Sequence, residues 1–198
     1  MPESLSAYES IRGYDYGENT GLTVTVKTDN NVIPVSVADF KAYAKIDTNA
    51  DDALISDMLY AVKDMGEAHT RLTWFNKVLV AEWETHGRTV DLPYGPHGAI
   101  VRVQSYEDGE YVTLTSDEYT VTGGTFKTLT FKTWGAGLKV EYNAGYGSAT
   151  SALPKDLRIG AMKAGLSAYE DRQNLVEGGF TDLKGTAQFY AGKRRVQI

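Results

Sequence analysis

The chain has 198 residues, 42% hydrophobic and 23% charged, with a net charge of −6 and no cysteine. Such a balance belongs to a soluble globular protein of one well-buried domain, or one domain with arms. It excludes disulfides and thiolate chemistry and argues against a surface that grips nucleic acid through its phosphates. The N-terminal stretch lacks a basic segment followed by an apolar one, and no apolar run approaches membrane-spanning length, so neither a signal peptide nor a membrane partner is expected.

Charge is uneven along the chain. Residues 1–35 carry Glu3, Glu9, Asp15, Glu18 and Asp29 against Arg12 and Lys27, whereas residues 179–198 carry Lys184, Lys193, Arg194 and Arg195 against Asp182. An acidic body with a basic tail points to a tail that docks on a partner or an adjacent copy; the alternative is a solvated terminus.

Residues 1–35 read as an N-terminal arm, with Tyr8, Tyr14 and Tyr16 scattered among glycines. Only Leu22–Lys27 alternates like a strand, and a lone strand must pair with a sheet or another subunit. Residues 36–74 form the first part of a helical body. Ser36 followed by Asp39 has the N-cap pattern, and Val37, Phe40 and Ala44 supply an apolar face ending near Ile46. Asp47–Asp52 is the turn into a long helix over 51–71, the element around which the fold is expected to organise. Its Leu54, Ile55, Met58, Leu59, Val62 and Met65 recur at helical spacing, with Asp57, Lys63, Asp64 and Glu67 mostly on the other side. Burying six such side chains is worth about 10–18 kcal/mol before entropy is subtracted, so other segments must cover the stripe.

Over residues 75–152 the period changes to two. Val78/Val80, Val101/Val103, Val112/Leu114, Tyr119/Val121, Leu129/Phe131 and Leu138/Val140/Tyr142 alternate with polar residues. Gly- and Pro-containing turns separate them, predicting six or seven antiparallel strands in an inserted sandwich or barrel-like module. The helical period returns over 153–178, with Pro154 at the first turn. There a small stripe of Ala161, Ala164, Gly165 and Ala168 is expected to pack on Leu54, Met58, Leu59 and Val62 of the long helix. Residues 179–198 read as an extended docking tail that uses Phe180, Leu183, Lys184, Phe189, Tyr190, Lys193, Arg194 and Arg195. The fold class is therefore α+β: a helical body with an inserted antiparallel β-module and extended terminal arms.

No catalytic or cofactor constellation emerges. Asp47-x-Asn49-x-Asp51 opens like a calcium loop, but Asp52 stands where glycine is required and Met58 where a bidentate glutamate is required. His69, His86 and His97 have no partners at metal-site spacing. Gly145-Tyr-Gly147-Ser148 is followed by no Gly-Lys-Ser/Thr, so it is no phosphate loop. Trp74, Trp83 and Trp134 are candidates for a stacking platform for sugar or single-stranded nucleic acid, or else for core and interface. No enzyme activity and no cofactor or metal are expected.

The order of the pieces carries a resemblance. Val35-Ser-Val-Ala-Asp-Phe-Lys41 precedes the acidic turn Asp47–Asp52; the long helix ends Glu67-Ala-His-Thr-Arg71. There follow Val90-Asp-Leu-Pro93, Val140-Glu-Tyr-Asn-Ala-Gly-Tyr-Gly147, and a helix from Leu153-Pro154 to Tyr169-Glu-Asp-Arg172. Over roughly residues 35–175 this resembles the head–tail connector (adaptor) proteins of tailed bacteriophages, the HK97-like and SPP1-like connectors. The resemblance implies a structural virion protein made in the host cytoplasm and placed in the neck. It implies a ring of about twelve copies under the portal protein, extending the channel through which genomic DNA passes without specific binding. Tail or stopper proteins would attach below, and the termini would reach the portal and neighbouring subunits. Connectors commonly have Thr-Gly-Arg at the end of the long helix, whereas Thr70 here runs straight into Arg71. The alternatives are another neck or tail-completion protein, or a carbohydrate- or receptor-binding β-module that uses its tryptophans.

Overall fold

A computed structural model describes residues 21–170. They form two compact units. One holds residues 30–75 with the described part of 146–196, the other the described part of 1–29 with 76–145.

The first unit is helical, with α1 (Val37–Ala44), α2 (Asp52–Thr70) and α3 (Lys155–Glu170). Ser36 caps α1, its Oγ accepting from the Asp39 N–H at 3.1 Å. The helix ends where Lys45 turns left-handed at φ 57°, and the N–H of Ile46 then reaches the Lys41 carbonyl at 3.0 Å, satisfying a carbonyl that the last turn leaves open. Helix α2 ends the same way, on Arg71 at φ 54°. The residue that directly follows Thr70 thus occupies the left-handed position that usually falls to glycine.

Along α2 the buried residues are Ile55, Met58, Leu59, Val62, Lys63, Gly66 and Thr70. This corrects the sequence reading at both flanks of the stripe. Leu54 is 41% exposed, because about 100° per residue carries it well off the line through Ile55, Leu59 and Val62. Lys63, expected on the polar side, falls nearer that line and is buried; its Nζ lies 5.6 Å from the Tyr60 ring centroid and 3.5 Å from the Asp64 carboxylate.

Helix α3 buries Leu157, Gly160, Ala161, Ala164, Gly165 and Ala168. Leu157, Ala161 and Ala164 join Val35, Phe40, Ile55, Leu59, Val62, Leu72, Trp74, Phe75 and Leu153 in one core, and Gly165 lies against Phe40 and Leu59. Small side chains let α3 approach α2 and α1 closely. Trp74 is fully buried, its backbone N–H donates to Glu67 Oε1 at 2.7 Å and its indole N–H to Thr70 Oγ1 at 3.3 Å. The ring lies against Gly66, where a Cβ would stand 2.3 Å from two ring carbons. The acidic turn is held by side chains: Tyr169 Oη donates to Asp51 Oδ2 at 2.5 Å, and Lys41 Nζ to Asn49 at 2.5 Å and Asp52 at 2.7 Å. Asp51, although it precedes α2, makes no side-chain cap bond.

The second unit is antiparallel β. It contains β1 (Thr23–Asp29), β2 (Lys77–His86), β3 (Thr89–Asp91), β4 (His97–Glu107), β5 (Glu110–Thr113), β6 (Tyr119–Thr122), β7 (Thr128–Phe131) and β8 (Gly135–Ala144). A five-stranded sheet has the order β1-β2-β8-β4-β5 and a three-stranded sheet the order β3-β7-β6; neither closes into a barrel. Strand Thr23–Asp29 finds its partner here, in register with Lys77–Glu82 of β2. Leu79, Ala81 and Trp83 of β2, Val103 of β4, and Leu138, Val140 and Tyr142 of β8 meet Val90, Leu129 and Phe131 of the smaller sheet in one core.

A buried histidine ties the loops of this unit together. The His97 Nδ1 accepts the Lys127 N–H at 2.9 Å, so Nε2 carries the proton and donates to the Pro93 carbonyl at 2.9 Å. The same carbonyl accepts from Tyr142 Oη at 2.7 Å, and the His97 N–H donates to the Thr125 carbonyl at 2.8 Å. Alternation puts Glu141 on the face opposite Val140 and Tyr142. There its carboxylate accepts from Lys27 Nζ at 2.6 Å and Arg102 at 2.9 Å, linking β1, β8 and β4. The Lys27 hydrogen bond, then that of Arg102, hold the carboxyl below its ordinary pKa.

Two expectations follow. Gly66→Ala forces a methyl against a ring that has no room to retreat, and should cost about 1–3 kcal/mol in urea unfolding. Because the folded pKa of Glu141 is depressed, its contribution is present above the unfolded carboxylate value of about 4.3 and is lost as pH falls through the lower folded value. Lys27 and Arg102 are half exposed, so Glu141→Gln should cost only about 1 kcal/mol at neutral pH. The difference between the two chains should vanish on acidification in the same measurement.

Candidate interaction surface

Among the described residues no group of three or more His, Asp or Glu side chains is arranged to hold a metal ion. His86 packs on Phe131 at 4.8 Å, with Nδ1 2.9 Å from the Gly87 carbonyl, and His97 is a loop tie. The tryptophans do not converge. Trp74 and Trp83 are buried, whereas Trp134 is 78% exposed, so a three-tryptophan platform for a sugar or a base is ruled out by geometry.

Tyr106, Tyr111 and Val112, three of the exposed large apolar side chains, share one end of the five-stranded sheet. Strands β4 and β5 are joined through Asp108 and Gly109, with Tyr106 directly opposite Tyr111. The two rings meet edge to face at 5.2 Å, a favoured aromatic geometry. Beneath them Gly137 takes φ +70°, and a Cβ there would lie 2.5 Å from Tyr106 Cβ; only glycine lets this pair settle on β8. Lys139 Nζ sits 4.7 Å from the Tyr111 ring centroid and 2.9 Å from Glu82. Tyr106, Tyr111 and Val112 nevertheless remain 45%, 37% and 46% exposed. The surface is thus built and oriented in the single chain, yet left open to water.

Acidic groups around this hairpin differ in kind. In the turn after β5, Glu118 accepts from the Thr115 N–H at 2.6 Å and the Thr115 hydroxyl at 2.7 Å. Those bonds, the backbone one first, hold its carboxyl below the usual range. Glu107, Asp108 and Glu110 at the hairpin tip have no ion pair or side-chain hydrogen bond among the described residues. Glu107 and Glu110 stand directly opposite each other, a placement in which like charges repel.

Of the residues singled out from sequence, Met58, Leu59, Val62, Ala161, Ala164 and Ala168 are buried in the helical unit. Leu54 is exposed, as are Tyr43 and Ile159 of α1 and α3. Phe180, Leu183, Lys184, Phe189, Tyr190, Lys193, Arg194 and Arg195 lie outside the described residues. Sequence reasoning passed over the Tyr106–Tyr111 pair. Its available signal was a Glu-Asp-Gly-Glu turn flanked symmetrically by tyrosines, which marks a two-residue hairpin with an aromatic cross-strand pair.

Comparison with known proteins gives a fold-level answer. No protein-family model matches the sequence, and no curated protein matches it. Among solved structures, the fold is similar to a chain from the neck of an empty gene transfer agent particle computed with C6 symmetry, with a TM-score of 0.71 and 18% identity over 88% of this chain and 96% of that one. A chain in the virion of a native gene transfer agent particle is similar at TM-score 0.67 and 18% identity, with the same coverage. A chain in the neck of the native particle, computed with C12 symmetry, is similar at TM-score 0.65 and 17% identity, again over 88% of this chain and 96% of that one. The fold of this chain is similar to that of chains found in such particles.

Proposed function

We propose that this protein is a non-enzymatic structural component of the neck of a tailed-phage-like particle: a head–tail adaptor that assembles as a ring beneath the portal protein. The observation that carries the reading is the end-to-end likeness to neck chains, which spans 96% of the solved chain at TM-score 0.71. Solutions with C6 and C12 symmetry for those necks support a ring, here of about twelve copies. The order of sequence motifs over residues 35–175 supports the adaptor position within the neck.

In this role the helical body forms the ring wall and the lumen extends the DNA channel. A chain of net charge −6 does not hold the genome by its phosphates, so DNA passes without being gripped. The tail, residues 179–198, docks on the portal or a neighbouring subunit, and the opposite face of the ring takes a tail or stopper protein.

The test uses heads that carry the portal but lack this chain. Purified full-length protein should bind such heads and restore their ability to accept tails. Binding only to heads that already carry another adaptor layer would overturn the adaptor position and put the protein one layer lower, as a tail-completion protein.

A further inference from the structure

We infer that the β4–β5 hairpin is the acceptor for the basic C-terminal segment, residues 193–198, of a neighbouring copy of this chain, which joins β5 as an added strand. This deepens the ring reading above and rests on it. Strand β5 ends its sheet, and all of its residues, Glu110–Thr113, are exposed. The pairing Glu107↔Glu110 closes a two-residue hairpin. In such a ladder the N–H and C=O groups of Tyr111 and Thr113 point away from β4. Tyr111 and Val112 give this edge an apolar contact on each face. An edge with open backbone groups and exposed apolar side chains is a template for another strand.

The hairpin tip indicates which strand. Glu107 and Glu110 repel across the ladder and Asp108 adds a third charge in the turn at φ 48°. Within the described residues no cation answers them. A metal ion is a poor fit, since no metal-holding group of side chains is present among the described residues. The matching cations are in the chain's own sequence: Lys193-Arg194-Arg195 leads into Val196-Gln197-Ile198, whose apolar residues alternate. In strand addition, backbone hydrogen bonds supply affinity and alternate side chains supply fit, while opposite charges set register and partner. A tail given by each copy to the next is a head-to-tail contact, and such contacts generate rings when the rotation closes.

The chain has no cysteine, which makes the test direct. One full-length chain carries Thr113→Cys or Tyr111→Cys and a second carries Val196→Cys. The two are mixed, assembled and oxidised, and native mass is recorded on the same sample. The expected result is a disulfide between the two different chains. Its yield should fall about tenfold when the acceptor also carries Glu107→Lys and Glu110→Lys, and recover when the donor carries Arg194→Glu and Arg195→Glu. A ring that forms without the cross-link overturns this inference and leaves the ring reading standing. A cross-link without any ring upholds the docking and overturns the ring reading. Charge reversals that leave the yield unchanged, or that show no reciprocal rescue, overturn the acidic tip as the recognition element.

Discussion

The helical unit depends on the close approach of α3 to α2. The stripe Ile55, Met58, Leu59 and Val62 exposes far too much apolar surface to stand alone. It is covered by a helix of small buried residues, Gly160, Ala161, Ala164, Gly165 and Ala168. Small side chains give up little area of their own, and their value lies in letting Phe40, Leu59 and Trp74 fill the space at interior density. These helices belong to segments 30–75 and 146–170, which strands β2 to β8 of the β unit separate in sequence. The helical core is therefore completed by non-local contacts, and neither half has a covered stripe without the other.

The β unit solves a different problem. Its two sheets remain open, so they have edges. Strand β1 protects one edge with a register shift and the Lys27–Glu141 ion pair, devices that discourage further pairing. Strand β5, at the other edge, carries no such device. It offers tyrosine, valine and, at the hairpin tip, acids with no ion pair among the described residues, and the Tyr106–Tyr111 pair above Gly137 gives it a fixed orientation. The two edges of this sheet thus differ: β1 carries a register shift and an ion pair, β5 exposed tyrosine and valine.

Much of this was legible in the sequence, and the limits are physical. The Ser36 cap, the three-and-four spacing of α2 and the alternation over residues 77–144 are local signals, and local signals report elements. Leu54 and Lys63 were misplaced because a stripe about 100° wide leaves its flanking positions undecided until the covering helix is known. Val112 was read as one face of a strand, but alternation does not say whether an edge strand's inner face is covered. His97 and the Asp51–Tyr169 bond were out of reach, since a lone histidine or aspartate carries no sign of a partner that is 30 or 118 residues away. The resemblance drawn in the sequence rests on the order of motifs that are individually weak, and what the solved neck chains share with this chain at 18% identity is the fold.

The central claim is that this chain works as a ring, its aromatic and acidic hairpin meeting the basic tail of the next copy. The measurement that bears on it most directly is the native mass of the purified full-length protein, with negative-stain images of the same sample. The account predicts a closed ring of about twelve copies, in keeping with the C12 symmetry computed for a neck whose chain has a similar fold. A closed two-fold dimer, or a chain that stays monomeric even alongside portal-bearing heads, would contradict it.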